Sequence, residues 1–204
     1  MGMYSKLLLS SFGFCSPIMR DKLAKVISQD KSLYDKKCLV LPYAGFNAEK
    51  TFEKEMQGLT EFGFNPDKII FWKSRLDVIS ETPDYIYVPG GDPFKLLKTI
   101  RKLGLVSEII DFVKNRGVVY IGVSAGADIA AKSIEYVLQL EDNNEIDDGD
   151  FSALGLIGES VLCHYDHYSY LMLKICREIS GDTVVTINDD QLIKYENDAF
   201  EYVD

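Results

Sequence analysis

Apolar and polar positions alternate in blocks along the chain. Short near-continuous apolar runs, Lys6–Phe12, Lys37–Tyr43, Lys68–Trp72, Asp84–Val88 and Val118–Val123, read as strands. Between them lie segments with apolar residues at helical spacing: Ser16–Gln29, Ala48–Phe62, Phe94–Leu103 and Val106–Asn115. Ser16 before Pro17 has the chemistry of a helix start, and Gly63 that of a helix stop. The first 130 residues therefore read β-α-β-α-β-β-α-α-β-α. Strands apolar throughout are buried on both faces, which predicts a mainly parallel sheet covered by helices, a three-layer α/β sandwich.

The C-terminal third is less regular. Ser133–Leu140 is expected as a strand, followed by an acidic loop over 141–150. Gly158–Tyr165 is expected as a strand with His164 near its end, and Tyr168–Ile179 as a helix. Thr183–Ile187 and the alternating Gln191–Val203 segment predict late strands closing as a hairpin. No repeat, low-complexity tract or linker divides the 204 residues, so residues 1–204 are expected to form a single domain.

Composition narrows the function. The net charge of −10 argues against nucleic acid and against anionic membrane surfaces, both of which need a basic footprint. No apolar run has membrane-spanning length, and the N-terminal segment lacks a basic leader. Four cysteines without a C-x-x-C pair read as reduced thiols of a cytoplasmic protein. Having only two histidines argues against a zinc site.

The candidate chemistry starts at Gly122-Val-Ser124-Ala-Gly126, a G-x-S-x-G pattern between a strand and small helix-forming residues. The glycines clear space around a sharp turn, so that the Ser124 hydroxyl stands exposed at a helix N-terminus, where developing negative charge is favoured. A tight turn with a capping serine would use the same residues. Pro89-Gly90-Gly91-Asp92-Pro93 follows another strand. Its adjacent glycines let backbone N–H groups approach a ligand, and the Ala125 N–H is the other natural oxyanion donor. A serine nucleophile needs a base. Cys163-His164-Tyr-Asp-His167 holds both histidines, and His164 sits at the expected strand end. Between serine and histidine, the carboxylates that could orient the imidazole are Glu135, Glu141 and Asp142; Asp166 is close in sequence to His164.

These motifs, in this order, resemble the peptidase E (aspartyl dipeptidase) family of serine peptidases. The resemblance rests on Val88-Pro-Gly-Gly-Asp92 with Phe94-x-Leu-Leu97, on Gly122-x-Ser-Ala-Gly-Ala127, and on Leu154-Gly-Leu156 before the His164 strand. It implies a class I glutamine amidotransferase-like fold in which Ser124 is nucleophile and His164 base, with Gly91 and Ala125 as oxyanion hole. It implies hydrolysis of short peptides with an N-terminal aspartate, without metal or cofactor. Three departures stand out. Asp92 replaces an asparagine, and could hold a substrate α-ammonium beside Gly90. The family's acid falls, by residue count, near Gln139, which makes Glu141 the nearest alternative on the same side of a strand. The family's long loop after the histidine is short, with Lys174 and Arg177 as the nearby basic residues. Edge strands near the C-terminus offer a surface for a homodimer.

Overall fold

The computed structural model describes residues 6–27, 33–74, 77, 81–140, 144–181 and 183–204. Among them the strands are β1 (Leu7–Ser10), β2 (Cys38–Val40), β3 (Ile69–Phe71), β4 (Tyr85–Val88), β5 (Val119–Val123), β6 (Ser160–Cys163), β7 (Val184–Ile187), β8 (Leu192–Glu196) and β9 (Ala199–Val203). The α-helices are α1 (Pro17–Ile27), α2 (Ala48–Phe62), α3 (Pro93–Lys102), α4 (Val106–Arg116), the one-turn α5 (Ala125–Asp128) and α6 (Tyr170–Ser180). The first five strands and four helices fall where the apolar pattern predicts them. The last two positions predicted for the first helix, 28 and 29, lie outside the described residues.

The central sheet runs β3-β2-β4-β5-β1-β8-β9. Its first five strands are parallel, and β8 and β9 join antiparallel at one edge as the expected C-terminal hairpin. Asn197 and Asp198, both with positive φ, make the tight turn between them.

Side-chain alternation along each strand divides the core into two layers. Leu8, Val40, Tyr85, Tyr87, Ile121 and Val123 pack with Met19, Leu23 and Ile27 of α1 and Leu59 of α2. Leu7, Leu9, Leu39, Ile86, Val88 and Tyr120 point the other way, onto residues of α3, α4, α5 and α6. The helices thus cover both faces, and the parallel strand ends are left open at one rim of the sheet.

One C-terminal element differs from expectation. The segment expected as a strand over Ser133–Leu140 is a 3₁₀ turn over Glu135–Gln139, with one isolated bridge, Ser133 to Ser152. The Ile134 N–H donates across to the Phe151 carbonyl beside that bridge, and beyond it the backbone closes locally, with Val137 donating to Ile134 and Leu140 to Val137. Ile134, Tyr136 and Val137 bury at turn spacing, and the Tyr136 hydroxyl donates to the Val161 carbonyl. The strand β6 exists, but it pairs with β7 in a separate two-stranded parallel sheet. The β6-α6-β7 unit is a right-sized crossover for that pairing. Because the two strands are parallel, with Cys163 opposite Ile187, the residues that follow each strand emerge side by side.

Candidate active site

Ser124 follows β5 at φ 49° and ψ −113°, a backbone state that L-residues rarely occupy. Holding it costs roughly 1–3 kcal/mol, which surrounding contacts must supply. Several do. The Ser124 N–H donates to the Ser10 carbonyl at 2.8 Å, and the Ser124 carbonyl accepts from Ala127 and Asp128 at 2.7 and 2.9 Å. The flanking glycines are required by space. A Cβ on Gly126 would lie 2.0 Å from the Val88 carbonyl oxygen, and one on Gly122 would lie 2.5 Å from the Gly126 carbonyl oxygen. The helix that follows is only one turn, α5, so its macrodipole is small and any help to an anion must come from the nearest amides.

His164 follows β6 in the left-handed region, φ 55° and ψ 35°. That turn swings its ring back over the end of β5, and Nε2 meets the Ser124 Oγ at 3.1 Å. The other ring nitrogen, Nδ1, lies 2.6 Å from Oδ1 of Asp189. Asp189 stands just past β7, in a turn closed by Gln191, whose Oε1 accepts from the Asn188 N–H and whose own N–H donates to the Asn188 carbonyl. With the proton on Nδ1 and donated to Asp189, Nε2 presents its lone pair to the serine hydroxyl. The second Asp189 oxygen is 2.7 Å from Nε2 of His167. Burial pushes the Asp189 carboxyl up, but hydrogen bonds from His167 and His164 outweigh it, and its pKa lies below the usual carboxylate value. Hydrogen bonding to Asp189 holds the His167 pKa above its ordinary value.

Ser11, 2% exposed, links three strand ends. Its Oγ accepts from the His164 N–H at 2.9 Å and donates to the Ile187 carbonyl at 2.9 Å. Its neighbour Ser10 receives the Ser124 amide. The end of β1 is therefore the common anchor for the serine turn, the histidine turn and the β7 end. Phe12 packs edge-on to the His164 ring, with centroids 5.3 Å apart.

Gly90 and Gly91, after β4, line a cavity of about 260 Å³ together with Ser124. A Cβ on Gly90 would come 3.0 Å from the Ser124 Cβ. Gly91 has φ 139°, and a Cβ there would lie 2.3 Å from the Ala44 carbonyl oxygen. The cavity wall also includes Ser11, Gly13, Cys15, Lys54, Glu55 and Tyr87, besides Ser124 and His164. It is smaller than the roughly 300–1,000 Å³ typical of pockets for drug-sized ligands, which favours a small substrate.

Of the residues singled out in the sequence, Ser124 and His164 are brought together, and Gly90 and Gly91 stand beside them. Ala125, fully buried, supplies the first amide after the serine. Asp92 is engaged elsewhere: its Oδ1 accepts from the Phe94 and Lys95 N–H groups at 2.9 and 3.0 Å as the N-cap of α3. Glu141 and Asp142 lie outside the described residues, and Glu135 is exposed at the start of the 3₁₀ turn. The carboxylate on the imidazole is Asp189, which sequence reasoning missed because the carboxylates it weighed ended at Asp166. The signal was present: a strand over Thr183–Ile187 running into Asn188-Asp189-Asp190.

With this geometry in view, comparison with known proteins is decisive for the family. The sequence model of peptidase family S51 matches residues 7–203. The chain belongs to peptidase family S51. A Salmonella arizonae protein named peptidase E is 36% identical over 127 residues, 61% of this chain and 53% of that protein. A Drosophila melanogaster protein named "Probable alpha-aspartyl dipeptidase" is 30% identical over 135 residues, 66% of this chain and 55% of that one. The matched stretch thus spans about half the length of these two relatives. An uncharacterized peptidase of Listeria monocytogenes is 26% identical over 180 residues, 84% of this chain and 87% of its own. In fold, the chain superposes on a Listeria monocytogenes crystal structure provisionally assigned to peptidase E, with TM-score 0.76, 21% identity and 98% coverage of both chains. A peptidase from an acI-B1 Actinobacterium gives TM-score 0.70 at 17% identity, over 100% of this chain and 89% of that one. For this S51 member, the α/β fold with a mostly parallel sheet and a closing hairpin is thus that of its structural neighbours. Among the described residues, no helix is long and apolar enough to cross a membrane.

Proposed function

We propose that this S51 member is a serine peptidase that hydrolyses short peptides through an acyl-enzyme. One observation carries the reading: Ser124 Oγ, His164 and Asp189 form a continuous hydrogen-bonded line, 3.1 Å and 2.6 Å, at the open strand ends. Ser124 Oγ attacks the scissile carbonyl carbon as its proton passes to His164 Nε2. Asp189 holds the tautomer and steadies the imidazolium. The tetrahedral oxyanion is received by the Gly91 and Ala125 N–H groups, where loss of one such donor costs about 10²- to 10³-fold in rate. His164 then returns the proton to the leaving amine. A water attacks the acyl-enzyme by the same route in reverse, freeing the acid and restoring Ser124.

Two features support a short substrate with an acidic N-terminal residue. One is the name of the Drosophila relative. The other is the small cavity with Lys54 on its wall as a cation for a side-chain carboxylate. The Gln139 departure does not weaken the catalytic reading, because Asp189 supplies the carboxylate that a glutamine could not. Neither a metal nor a cofactor enters the mechanism.

The test is hydrolysis of Asp-, Glu- and Leu-leading dipeptides by wild type, Ser124→Ala and His164→Ala. Turnover of the aspartyl substrate that disappears in both variants supports the proposal. Turnover of esters or side-chain amides but of no dipeptide would assign the same machinery to another acyl substrate. No turnover of any acyl compound would overturn it.

A further inference from the structure

The wall of the cavity that holds Ser124 also carries a carboxylate that the catalytic line does not use. Glu55 lies on α2 at helical spacing with Gly58 and Leu59, and all three are buried. It is 7% exposed, yet it lines the same cavity as Ser124 and His164. One of its oxygens accepts the Tyr87 hydroxyl at 2.6 Å. The Tyr87 hydroxyl in turn lies close to Gly13, where a Cβ would come within 2.4 Å of it. A buried carboxylate is kept where hydrogen bonds or opposite charge meet it, and Tyr87 supplies one such bond here. At the same helical position an apolar residue would need neither. A buried carboxylate open to a ligand cavity is matched best by a cation that arrives with the ligand.

We propose that Glu55, held in place by Tyr87, receives the substrate's α-ammonium group. The proposal rests on the reading of Ser124 as the nucleophile. It gives Glu55 the role that the sequence suggested for Asp92, which instead caps α3. The α-nitrogen is two bonds from the carbonyl under attack, so it must share the confined space that holds Ser124. A lysine ammonium would be several bonds farther and would have to turn back into the same small volume. Lys54, the next residue on the helix and also on the cavity wall, leaves a cationic partner for an acidic side chain. An N-terminal aspartyl residue carries both complementary charges.

Binding to the Ser124→Ala protein separates this proposal from turnover. Calorimetric titration with aspartyl-leucine, with its N-acetylated form and with acetyl-lysyl-leucine is expected to show binding of the first only. Adding Glu55→Gln, which keeps an acceptor for Tyr87, should weaken that binding by about 10- to 100-fold, the usual worth of a hydrogen bond to a charged group. Tyr87→Phe, which frees Glu55, should weaken it severalfold and serves where the first variant fails to fold. Equal binding of free and acetylated peptide, binding of neither, or Glu55-dependent binding of acetyl-lysyl-leucine would overturn the proposal. Reaction of wild-type Ser124 with an uncharged phosphonylating probe reports on the nucleophile alone. Labelling of Ser124 together with peptide binding that Glu55→Gln leaves unchanged therefore sinks the ammonium site and leaves the peptidase reading standing.

Discussion

Asp189→Asn is the most discriminating change in the catalytic line. The Asp189 Oδ1 is 2.6 Å from His164 Nδ1. An asparagine there can turn its amide N–H toward Nδ1. The ring proton then moves to Nε2, 3.1 Å from Ser124 Oγ, where a lone pair is needed to accept the serine proton. The imidazolium that forms in the transition state also loses its anionic partner. In a serine protease triad, changing the aspartate to asparagine lowers kcat about 10⁴-fold. Here the Asp189 and His164 side chains are 27% and 29% exposed, so water screens part of the pair. We therefore expect a loss of about 10³-fold in kcat, equivalent to about 4 kcal/mol of transition-state stabilisation. KM should change little, because Asp189 does not line the cavity. The assay is steady-state hydrolysis of an aspartyl dipeptide, with Glu141→Gln as the companion variant, expected to behave as wild type. A kcat within tenfold of wild type for Asp189→Asn, or a large loss in Glu141→Gln, would refute the assignment of Asp189.

Three further outcomes follow from the same contacts. Ser11→Ala should cost about 1–3 kcal/mol in chemical denaturation, because it strands the half-buried His164 N–H and the buried Ile187 carbonyl, and it should lower kcat more than it alters KM. Gly126→Ala should cost about 3 kcal/mol or prevent folding, since its Cβ would sit 2.0 Å from the Val88 carbonyl oxygen; a wild-type denaturation midpoint would contradict the close packing of the serine turn. The Asp189–His167 pair should stabilise the fold over a window of pH. Asp189 has a lowered pKa, so its share is complete above the ordinary carboxylate value and is lost as pH falls through the lowered one. His167 has a raised pKa, so its share is complete below the ordinary imidazole value and is lost as pH rises through the raised one. The Tm gap between wild type and His167→Gln should thus be widest between about pH 4 and 6.5 and should close on either side; a gap independent of pH would contradict it.

The sheet was legible in the sequence because parallel strands buried on both faces leave unbroken apolar runs, as in Leu7–Ser10 and Tyr85–Val88. Ser124 was legible because its turn demands Gly122 and Gly126 in fixed places, and His164 because only two histidines exist to choose from. Ser133–Leu140 misled because an apolar pattern does not reveal whether a neighbouring strand is free to pair; its N–H groups close a local turn instead. Asp189 lay beyond the carboxylates weighed in the sequence, the last of which was Asp166. What brings it to the ring is the parallel pairing of β6 with β7, which sets Asp189 beside a histidine 25 residues earlier in the chain. Glu55 looked like any polar position of an amphipathic helix, and only the packing of α2 over Tyr87 turns it into a buried charge facing the cavity.

The most direct test of the account is to trap the nucleophile. Wild-type protein treated with a fluorophosphonate and digested for mass spectrometry should carry one adduct, on Ser124, with labelling abolished in His164→Ala and slowed in Asp189→Asn. An unlabelled Ser124, or peptide hydrolysis that survives in Ser124→Ala, would contradict the claim that this serine carries the reaction.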